Sequence, residues 1–519
     1  MSLNLSILLR EGAARHPEKL ALIAGEDRVT YGELERRAAR FAGALISLGL
    51  GRGSHVALMM PNVPEFTVAY FGCQLAGVVA VPLNVMLKAA EVGYHLGDSD
   101  AVALVLWHTL VGEAFAGARD APGCRHLIVA GGGAGEHEGT LSFDALVDAG
   151  AAVAELPDTN PDDTAVILYT SGTTGRSKGA MLTHFNLFYN AIAAADGHAI
   201  DEGAISLAVL PLFHSFGQTV IQNGTLLKSG TVVLLPRFEA LAALEAIERH
   251  RVTFFAGVPT MYFGLLHHPG AERFDLSSLR VCASGGAPMP VEVMQRFDAK
   301  YGTNILEGYG LSETSPVACV NPKGRAKKPG SIGMPLYGVE MRLVREDGGV
   351  IHECGVPGEL CIKGHNIMKG YYKRPDATAA AIKGGWFSSG DVATRDEDGY
   401  YRIVDRKKDM VIRGGFNVYP REIEEVLYGH ASVAEAAVIG VAHESLGEEV
   451  VAVVALKAGH EATANELMLH CKERLAAYKY PREVRFVGAL PKGPTGKILK
   501  RELRGLRAWA SEPSLRRTP

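Results

Sequence analysis

The stretch YTSGTTGRSKGAMLTH, from Tyr169 to His184, packs hydroxyl, glycine and basic side chains into one short segment. Before it, the continuous apolar run AVILY at 165–169 predicts a short buried strand. After it, Thr183 is of a type that caps helices and predicts a helix from about His184. Strand, glycine-rich loop and helix in this order can cradle phosphates, because backbone N–H groups converge there and glycine permits close approach.

The loop differs from the standard P-loop, in which a glycine and four further residues precede Gly-Lys-Ser/Thr. Here Gly172 and Gly175 are only three residues apart, and Lys178 is followed by Gly179. A loop of this composition is often just a solvated connection. By itself it leaves both interpretations open, and the rest of the chain has to decide between them.

The composition excludes several classes of protein. With 519 residues, of which 47% are hydrophobic, the chain can bury large cores in about three domain-sized units. The net charge of −4 and the absence of a long Lys/Arg run argue against a nucleic-acid partner. The seven cysteines form no CxxC pair and have no zinc-site spacing with histidine, which is typical of a reduced intracellular protein.

Two long uncharged segments, at 66–87 and 204–227, could be mistaken for membrane spans. The first contains Gln74 and Pro82, and the second contains Pro211 and several amides. We therefore predict that both are buried protein segments, the first of them a helix followed by a strand. Charged side chains near the N-terminus argue against a signal peptide, and a cytoplasmic location is predicted.

The first 160 residues alternate between helical and strand patterns. Thr30 predicts the cap of an amphipathic helix that ends at Gly49. Apolar runs predict strands at 55–60, 78–82 and 101–107. Alternating strands and helices imply α/β layers with mainly parallel sheets.

The second half of the chain changes character twice. After about Gly330, short strands separated by glycine turns predict a compact β-rich subdomain, and from Asp405 the α/β alternation returns. The predicted fold class is therefore α/β. A large N-terminal domain at 1–404 contains two α/β layers and the β-rich subdomain, and a small α/β C-terminal domain follows at 405–519.

Six further segments accompany the opening loop in a fixed order. They are LPLFHSFG (210–217), ASGGAP (283–288), EGYGLSETSP (307–316), WFSSGD (386–391), DRKKDMVIRGGFNVYPREIEE (405–425) and PKGPTGKILKREL (491–503). Together with the loop, they resemble the adenylate-forming superfamily of acyl-CoA synthetases, amino-acid adenylation domains and beetle luciferases. The resemblance covers nearly the whole chain. It implies that a carboxylic acid is activated with ATP to give an acyl-adenylate and pyrophosphate.

The resemblance implies a role for each motif around ATP. Residues expected to hold the phosphates are Thr170, Ser171, Gly172, Thr173, Thr174, Gly175 and Lys178. Residues expected to form the nucleotide wall are Gly286, Ala287, Glu307, Gly308, Tyr309 and Ser312, with Tyr309 stacked on the base. Asp391 is expected to bind the ribose hydroxyls with Arg406 beside it. Glu313, with Thr173, is the expected Mg²⁺ site, since a hard cation prefers oxygen ligands.

The last motifs imply a mobile C-terminal domain. By resemblance, Lys497 reaches between the substrate carboxylate and the α-phosphate, which requires the small domain to dock over the large one. His214 is expected to line the acyl site, and Lys408 is expected at the hinge. Residues expected to contact the co-substrate CoA are Arg237, Gly414 and Gly415.

The predicted acyl pocket is small and apolar. Its expected lining is Phe216, Val220, Cys282, Gly285, Gly308, Gly310 and Val317. Because a second charge would be buried there without a partner, we expect medium- to long-chain fatty acids, with aryl acids such as cinnamate or coumarate as the alternative. A luciferase-like monooxygenase and a non-catalytic nucleotide-binding protein stay open. We expect a monomer or homodimer, and peripheral membrane contact is an open expectation for a ligase of lipophilic acids.

Overall fold

The computed structural model describes residues 3–132, 139–170, 176–493 and 496–505, and these ranges have the predicted α/β fold. The strands are β1 Leu20–Ala24, β2 Asp27–Thr30, β3 His55–Met59, β4 Val79–Pro82, β5 Ala101–Trp107, β6 His126–Ala130, β7 Thr140–Ser142, β8 Thr164–Thr170, β9 Lys178–Thr183, β10 Ile205–Ala208, β11 Thr231–Leu234, β12 Phe254–Gly257, β13 Val281–Ser284, β14 Ile305–Gly310, β15 Val317–Val320, β16 Met334–Pro335, β17 Val339–Val344, β18 Val350–Ile351, β19 Gly358–Gly364, β20 Gly370–Tyr371, β21 Ile382–Lys383, β22 Trp386–Arg395, β23 Tyr401–Arg406, β24 Val411–Arg413, β25 Phe416–Val418, β26 Val433–His443, β27 Gly447–Leu456 and β28 Glu483–Phe486.

The helices connect these strands across the faces of the sheets. They are α1 Ile7–Arg15, α2 Tyr31–Ser47, α3 Pro64–Leu75, α4 Ala89–Asp98, α5 Val111–Arg119, α6 Phe143–Ala149, α7 His184–Gly197, α8 Gly224–Leu227, α9 Ala240–His250, α10 Pro259–His267, α11 Val291–Tyr301, α12 Pro375–Ala381, α13 Pro420–Tyr428, α14 Ala464–Lys472 and α15 Lys500–Gly505. A π-helical segment at Phe216–Asn223 precedes α8. Among the helices that the structure describes, none is both long and apolar enough to cross a membrane.

Four sheets organise the described part of the chain. The first has nine strands in the order β16-β15-β14-β13-β12-β10-β11-β1-β2, and the second has eight in the order β20-β9-β8-β4-β3-β5-β6-β7. Their central strands are parallel and their helices cover them, as the alternating pattern predicts. The third sheet, β18-β17-β19-β22-β21 with β23 on β22, is the predicted β-rich part. The fourth, β25-β24-β27-β26 with β28 on β27, lies in the C-terminal region.

Local signals in the sequence account for the first two layers. The Thr30 side chain accepts a hydrogen bond from the Glu33 backbone N–H at 3.2 Å and caps α2, as predicted. Gly49 follows the end of this helix with a left-handed φ of 77°. The predicted strands at 55–60, 78–82 and 101–107 are β3, β4 and β5, and the segment from residue 66 is a buried helix followed by a strand.

The connection after β8 differs from the prediction. Lys178 begins a further strand, β9, which pairs antiparallel with β8 in the register Thr170 to Lys178. The loop therefore joins two strands of a hairpin, and α7 begins only afterwards, where the Thr183 side chain accepts from the Asn186 N–H at 3.0 Å. The strand–loop–helix interpretation was wrong because the apolar run in KGAMLT adds a strand to the sheet edge before the cap at Thr183.

The C-terminal region has an apolar core of its own. Side chains from α13, α14 and the fourth sheet pack together, including Ile423, Leu427, Val450 and Leu467. The predicted boundary between residues 404 and 405 falls inside β23, which still pairs with β22 of the third sheet. A small unit with its own core, joined to the rest of the chain by a short connection, can move as one body. The boundary at 404–405 stays a prediction.

Candidate active site

Asp391 lies at the centre of a buried polar cluster between the third sheet and β14. The backbone register pairs Asp391 on β22 with Arg406 on β23, so the Arg406 Nε lies 3.2 Å from the Asp391 Oδ1. The Tyr309 hydroxyl donates to the Asp391 Oδ2 at 2.5 Å. Burial and the neighbouring Asp391 raise the pKa of Tyr309, which keeps this hydroxyl a donor. The structure thus brings together three predicted residues from distant motifs.

A second cluster forms around Glu313, at the open ends of β8 and β9. The Glu313 Oε1 accepts hydrogen bonds from the Thr170 hydroxyl at 3.1 Å and from the Tyr371 hydroxyl at 2.9 Å. The Lys178 ammonium lies 5.0 Å from the centre of the Tyr371 ring. The predicted residues Ser171, Gly172, Thr173, Thr174 and Gly175 lie outside the described residues, so their phosphate and metal roles stay predictions.

Tyr371 is the residue of this cluster that the sequence analysis missed. It lies in the run GYYKRP, whose only visible signal was a glycine turn of a β-rich region. In the structure its short strand, β20, pairs with β9 and brings the phenol to Glu313. This pairing joins segments almost two hundred residues apart, and no local pattern could have indicated it.

Lys497 of the C-terminal region lies near enough to the Asp391 cluster for the charges of Arg406 and Asp391 to act on its pKa. The preceding residue, Gly496, docks on the large domain, where the Thr260 hydroxyl donates to the Gly496 carbonyl at 3.2 Å. A Cβ on Gly496 would lie 2.9 Å from both Thr260 Oγ1 and Val258 Cγ2, so glycine permits this close approach. Burial, reinforced by the charge of Arg406, lowers the pKa of Lys497 to about 8.

His214 is the neutral neighbour of Lys497. Burial and the Lys497 charge lower the pKa of His214 to about 4, so the imidazole is uncharged near neutral pH. Its Nδ1 accepts from the Phe216 backbone N–H at 3.3 Å, at the start of the π-helical segment. Such segments are frequent at functional sites because they re-aim side chains. Ser312, also predicted at the site, has its hydroxyl 3.5 Å from that of Ser215.

The predicted acyl pocket is only partly assembled as expected. Phe216 and the buried Val220 share the π-helical segment, and a Cβ on Gly285 would lie 3.1 Å from the Phe216 ring. Gly310 pairs with Val317 across β14 and β15. A Cβ there would collide with the Pro316 carbonyl oxygen at 1.9 Å. Close backbone approach therefore explains the glycine at this position, and its role in the pocket stays a prediction.

Cys282 and Gly308 also have packing explanations. Cys282 is fully buried. Burial and the charge of Asp298 raise the pKa of its thiol, and a hydrogen bond with Thr303 lowers it. Its burial gives it a packing role, and its place in the acyl pocket stays a prediction. A Cβ on Gly308 would lie 3.2 Å from the Val320 side chain, so this glycine accommodates a neighbouring strand.

The nucleotide-wall candidates lie on two neighbouring strands. Gly286 and Ala287 follow β13, which is parallel to β14, where Gly308 and Tyr309 lie. The Glu307 carboxylate also contacts backbone outside these strands. Its Oε1 accepts from the Met289 N–H at 3.2 Å. Burial raises the pKa of Glu307 to about 7, and the positive charge of Arg421 on α13 opposes that rise.

The predicted CoA and hinge residues lie at the surface of the two domains. Gly414 and Gly415 form the two-residue turn between β24 and β25 with φ of 57° and 83°, as hairpins of this type require. A Cβ on Gly415 would meet no atom within 4 Å, so it faces open space. Arg237 is exposed and pairs with Glu239 at 2.5 Å. Burial and Arg406 lower the pKa of Lys408.

The described residues contain no group of three histidine, cysteine or carboxylate side chains that could hold a metal. Glu313 therefore offers a single carboxylate, already oriented by two hydroxyl donors. That arrangement fits Mg²⁺, which commonly takes one or two carboxylates and completes its shell with water and substrate phosphates.

Comparison with known proteins identifies the family. The AMP-binding enzyme family matches residues 9–372, and the AMP-binding enzyme C-terminal domain matches residues 422–497. A long-chain-fatty-acid–CoA ligase of Bacillus subtilis (strain 168) is 36% identical over 96% of this chain and 94% of its own. A feruloyl-CoA synthase of Amycolatopsis sp is 41% identical over 95% of this chain and 96% of its own.

The fold is also that of a solved CoA ligase. The crystal structure of the anthranilate CoA ligase AuaEII in complex with anthranoyl-AMP superimposes with a TM-score of 0.93, at 29% identity and with 97% of each chain covered. The chain therefore belongs to the AMP-binding enzymes of the adenylate-forming superfamily, and it is an ATP-dependent acyl- or aryl-CoA ligase that works through an acyl-adenylate.

Proposed function

We propose that the enzyme joins a medium- to long-chain fatty acid to CoA, with Mg²⁺ bound at Glu313. The observation that carries the site assignment is the position of Lys497, buried beside the Asp391–Arg406 pair and beside His214. A cation there faces the point where the substrate carboxylate and the α-phosphate of ATP must meet. We propose a cytoplasmic enzyme, active as a monomer or homodimer.

In the first half-reaction, a carboxylate oxygen of the acid attacks the α-phosphorus, and the bond to the β-phosphate oxygen breaks. Lys497 offsets the repulsion between the two anions and stabilises the charge that develops between them. Asp391 holds the ribose, and Thr170 and Lys178 bind the leaving pyrophosphate. Mg²⁺ neutralises charge on the phosphate oxygens when it is bound.

In the second half-reaction, the CoA thiol attacks the acyl carbonyl and AMP leaves. We propose that the small domain turns about Lys408 and brings the Gly414–Gly415 turn to the site. Two glycines without side chains leave room for the narrow pantetheine arm. Lys497 then leaves the centre, since it lies on the same moving body.

The fatty-acid proposal rests on the apolar residues near His214. Phe216, Val220 and Gly285 are uncharged and offer no partner for a second charge on the substrate. Burying such a charge without a partner costs several kcal/mol, whereas each buried methylene contributes about 0.8 kcal/mol. The 36% identity to a long-chain-fatty-acid–CoA ligase supports the same substrate class.

An aryl acid is the second candidate, and two observations favour it. The Phe216 ring lies against Gly285, where it could stack on a flat acid. The relative named as a feruloyl-CoA synthase is 41% identical. A luciferase-like monooxygenase and a non-catalytic protein differ from both ligases in the product, because neither would release an acyl-CoA.

Pyrophosphate release across acetate, hexanoate, laurate, palmitate, benzoate, coumarate and malonate tests the proposal, with the thioester identified by mass spectrometry. We expect the highest kcat/KM with laurate or palmitate. A preference for coumarate would replace the fatty acid with the aryl acid, and a preference for malonate or acetate would overturn the apolar-pocket argument. In a Gly285→Ala variant, whose Cβ lies 3.1 Å from the Phe216 ring, bulky acids should lose more rate than acetate.

A further inference from the structure

Charged side chains on helix α13 of the C-terminal region pack against the large domain. The Arg421 guanidinium NH2 lies 3.8 Å from the Glu307 Oε1, across the interface between the two units. The side chains are only 9% and 2% exposed, so the pair is shielded from water. Charges removed from water in this way interact strongly, because little solvent screens them.

Glu307 depends on this arginine for its charge balance. Its Oε1 accepts from the Met289 backbone N–H, but its Oε2 has no hydrogen-bond partner among the residues that the structure describes. The negative charge of Glu425 also acts on Glu307, and the positive charge of Arg402 has a smaller effect than that of Arg421. Arg421 is therefore the main cation that compensates this buried carboxylate.

Arg421 makes two further hydrogen bonds to β23, which precedes the predicted hinge at Lys408 and pairs with the third sheet. Its guanidinium NH1 donates to the Ile403 carbonyl at 2.7 Å, and its backbone N–H donates to the Asp405 Oδ2 at 3.0 Å. One helical turn later, Glu425 interacts with the backbone N–H of Val291, the first residue of α11. A carboxylate at a helix N-terminus is favourable. One face of α13 therefore makes two favourable contacts with the large domain, through Arg421 and through Glu425.

We propose that Arg421 is a positioning residue, which acts through Glu307 to hold the small domain in the arrangement that delivers Lys497 for adenylation. This inference rests on the proposed alternation of the small domain. When that domain turns away, the pair separates, and the contact is absent from the thioester-forming arrangement. Loss of Arg421 should then weaken the first half-reaction selectively.

The test compares Arg421→Met, Arg421→Lys, Glu307→Gln and the double variant Arg421→Met/Glu307→Gln in the full chain. We expect Arg421→Met to slow ATP–pyrophosphate exchange about tenfold or more, at an unchanged KM for ATP. Thioester formation from supplied acyl-adenylate should keep its rate. The double variant should recover part of the loss, because an uncompensated buried carboxylate is worse than a neutral pair.

Arg474→Met is the matched control, since it removes an exposed arginine of the same unit whose partner is the adjacent Glu473. It should behave as wild type in both half-reactions. Equal losses in both half-reactions for Arg421→Met, or strictly additive effects in the double variant, would overturn the proposal. Recovery by Arg421→Lys would show that the charge, and not only the packing, positions the domain.

A second readout does not depend on turnover. Energy transfer between dyes on the exposed Cys354 and on a Lys472→Cys substitution reports how often the small domain is docked. With ATP bound, we expect Arg421→Met to lower the docked population and Arg474→Met to leave it unchanged. If no acid gave pyrophosphate but Arg421 still controlled docking, the proposed function would fail and this inference would stand. An unchanged docked population would refute the inference alone.

Discussion

Replacing Lys497 with alanine should separate the two half-reactions. Burial and Arg406 lower the pKa of Lys497 from 10.5 to about 8. A shift of that size means that the site disfavours the isolated cation by about 3 kcal/mol. The protein therefore holds a destabilised positive charge, which Asp391 and Asp409 offset only in part and which an anionic substrate and transition state stabilise further. We therefore expect Lys497→Ala to slow adenylation by about a hundredfold or more.

The assay measures each half-reaction separately. ATP–pyrophosphate exchange reports adenylation, and thioester formation from supplied acyl-adenylate reports the second step. The second rate should survive in Lys497→Ala, because the lysine and the Gly414–Gly415 turn are used in different positions of the small domain. Equal losses in both assays would refute this reasoning, because a residue that left the centre between the steps could not serve both.

The same lysine predicts a pH dependence. Its cation is present below its pKa and is lost as the pH rises through about 8. In the free enzyme, kcat/KM for adenylation should therefore be constant up to near pH 8 and fall above it. Lys497→Arg should remove this fall at whatever rate it retains, since arginine stays charged. An unchanged alkaline limb in Lys497→Arg would assign the ionisation to another group.

Three further changes test other parts of the structure. Gly415→Leu should stop thioester formation and spare pyrophosphate exchange, because its side chain would fill the space proposed for the pantetheine arm. Gly459→Leu, at a similar φ of 75° in an open turn, should affect neither rate. Wild-type thioester turnover in Gly415→Leu would disprove the proposed path of the pantetheine arm. Tyr371→Phe removes a hydrogen-bond donor to Glu313. It should raise the KM for MgATP several-fold, which corresponds to a loss of about 1 kcal/mol of binding free energy. An unchanged KM would argue against a role for this contact. Thr183→Ala removes the cap of α7 and should lower the unfolding free energy in urea by about 1 kcal/mol, which an unchanged midpoint would contradict.

Some of the site could be predicted from the sequence because its motifs are local. Asp391 and Arg406 were expected to act together, and the structure pairs them across adjacent strands. Glu313 was expected at the phosphate end, where Thr170 now contacts it. The contact of Tyr371 with Glu313 was not expected, since it depends on which strand joins the sheet edge beside β9.

The failures of prediction also have physical causes. β9 was missed because the residues from Lys178 to Thr183 were left in the loop, although they carry the apolar run of a strand that ends at the helix cap. The pocket assignment of Cys282 stays a prediction, because alternate residues of a strand face opposite sides and the sequence does not specify which side faces the site. Gly310 was expected to line the pocket, and the sequence could not show that its Cβ position would lie 1.9 Å from the Pro316 carbonyl oxygen.

By itself, the sequence determined the elements that depend on neighbours in the chain. Apolar runs placed β3, β4 and β5, and Thr30 placed the start of α2, because hydrophobic period and capping act over a few residues. Only the tertiary structure decided that Lys497 is buried where the charges of Arg406 and Asp391 act on it, and that Arg421 lies beside Glu307. Those contacts join residues about a hundred positions apart, and their strength comes from the burial that packing two domains together creates.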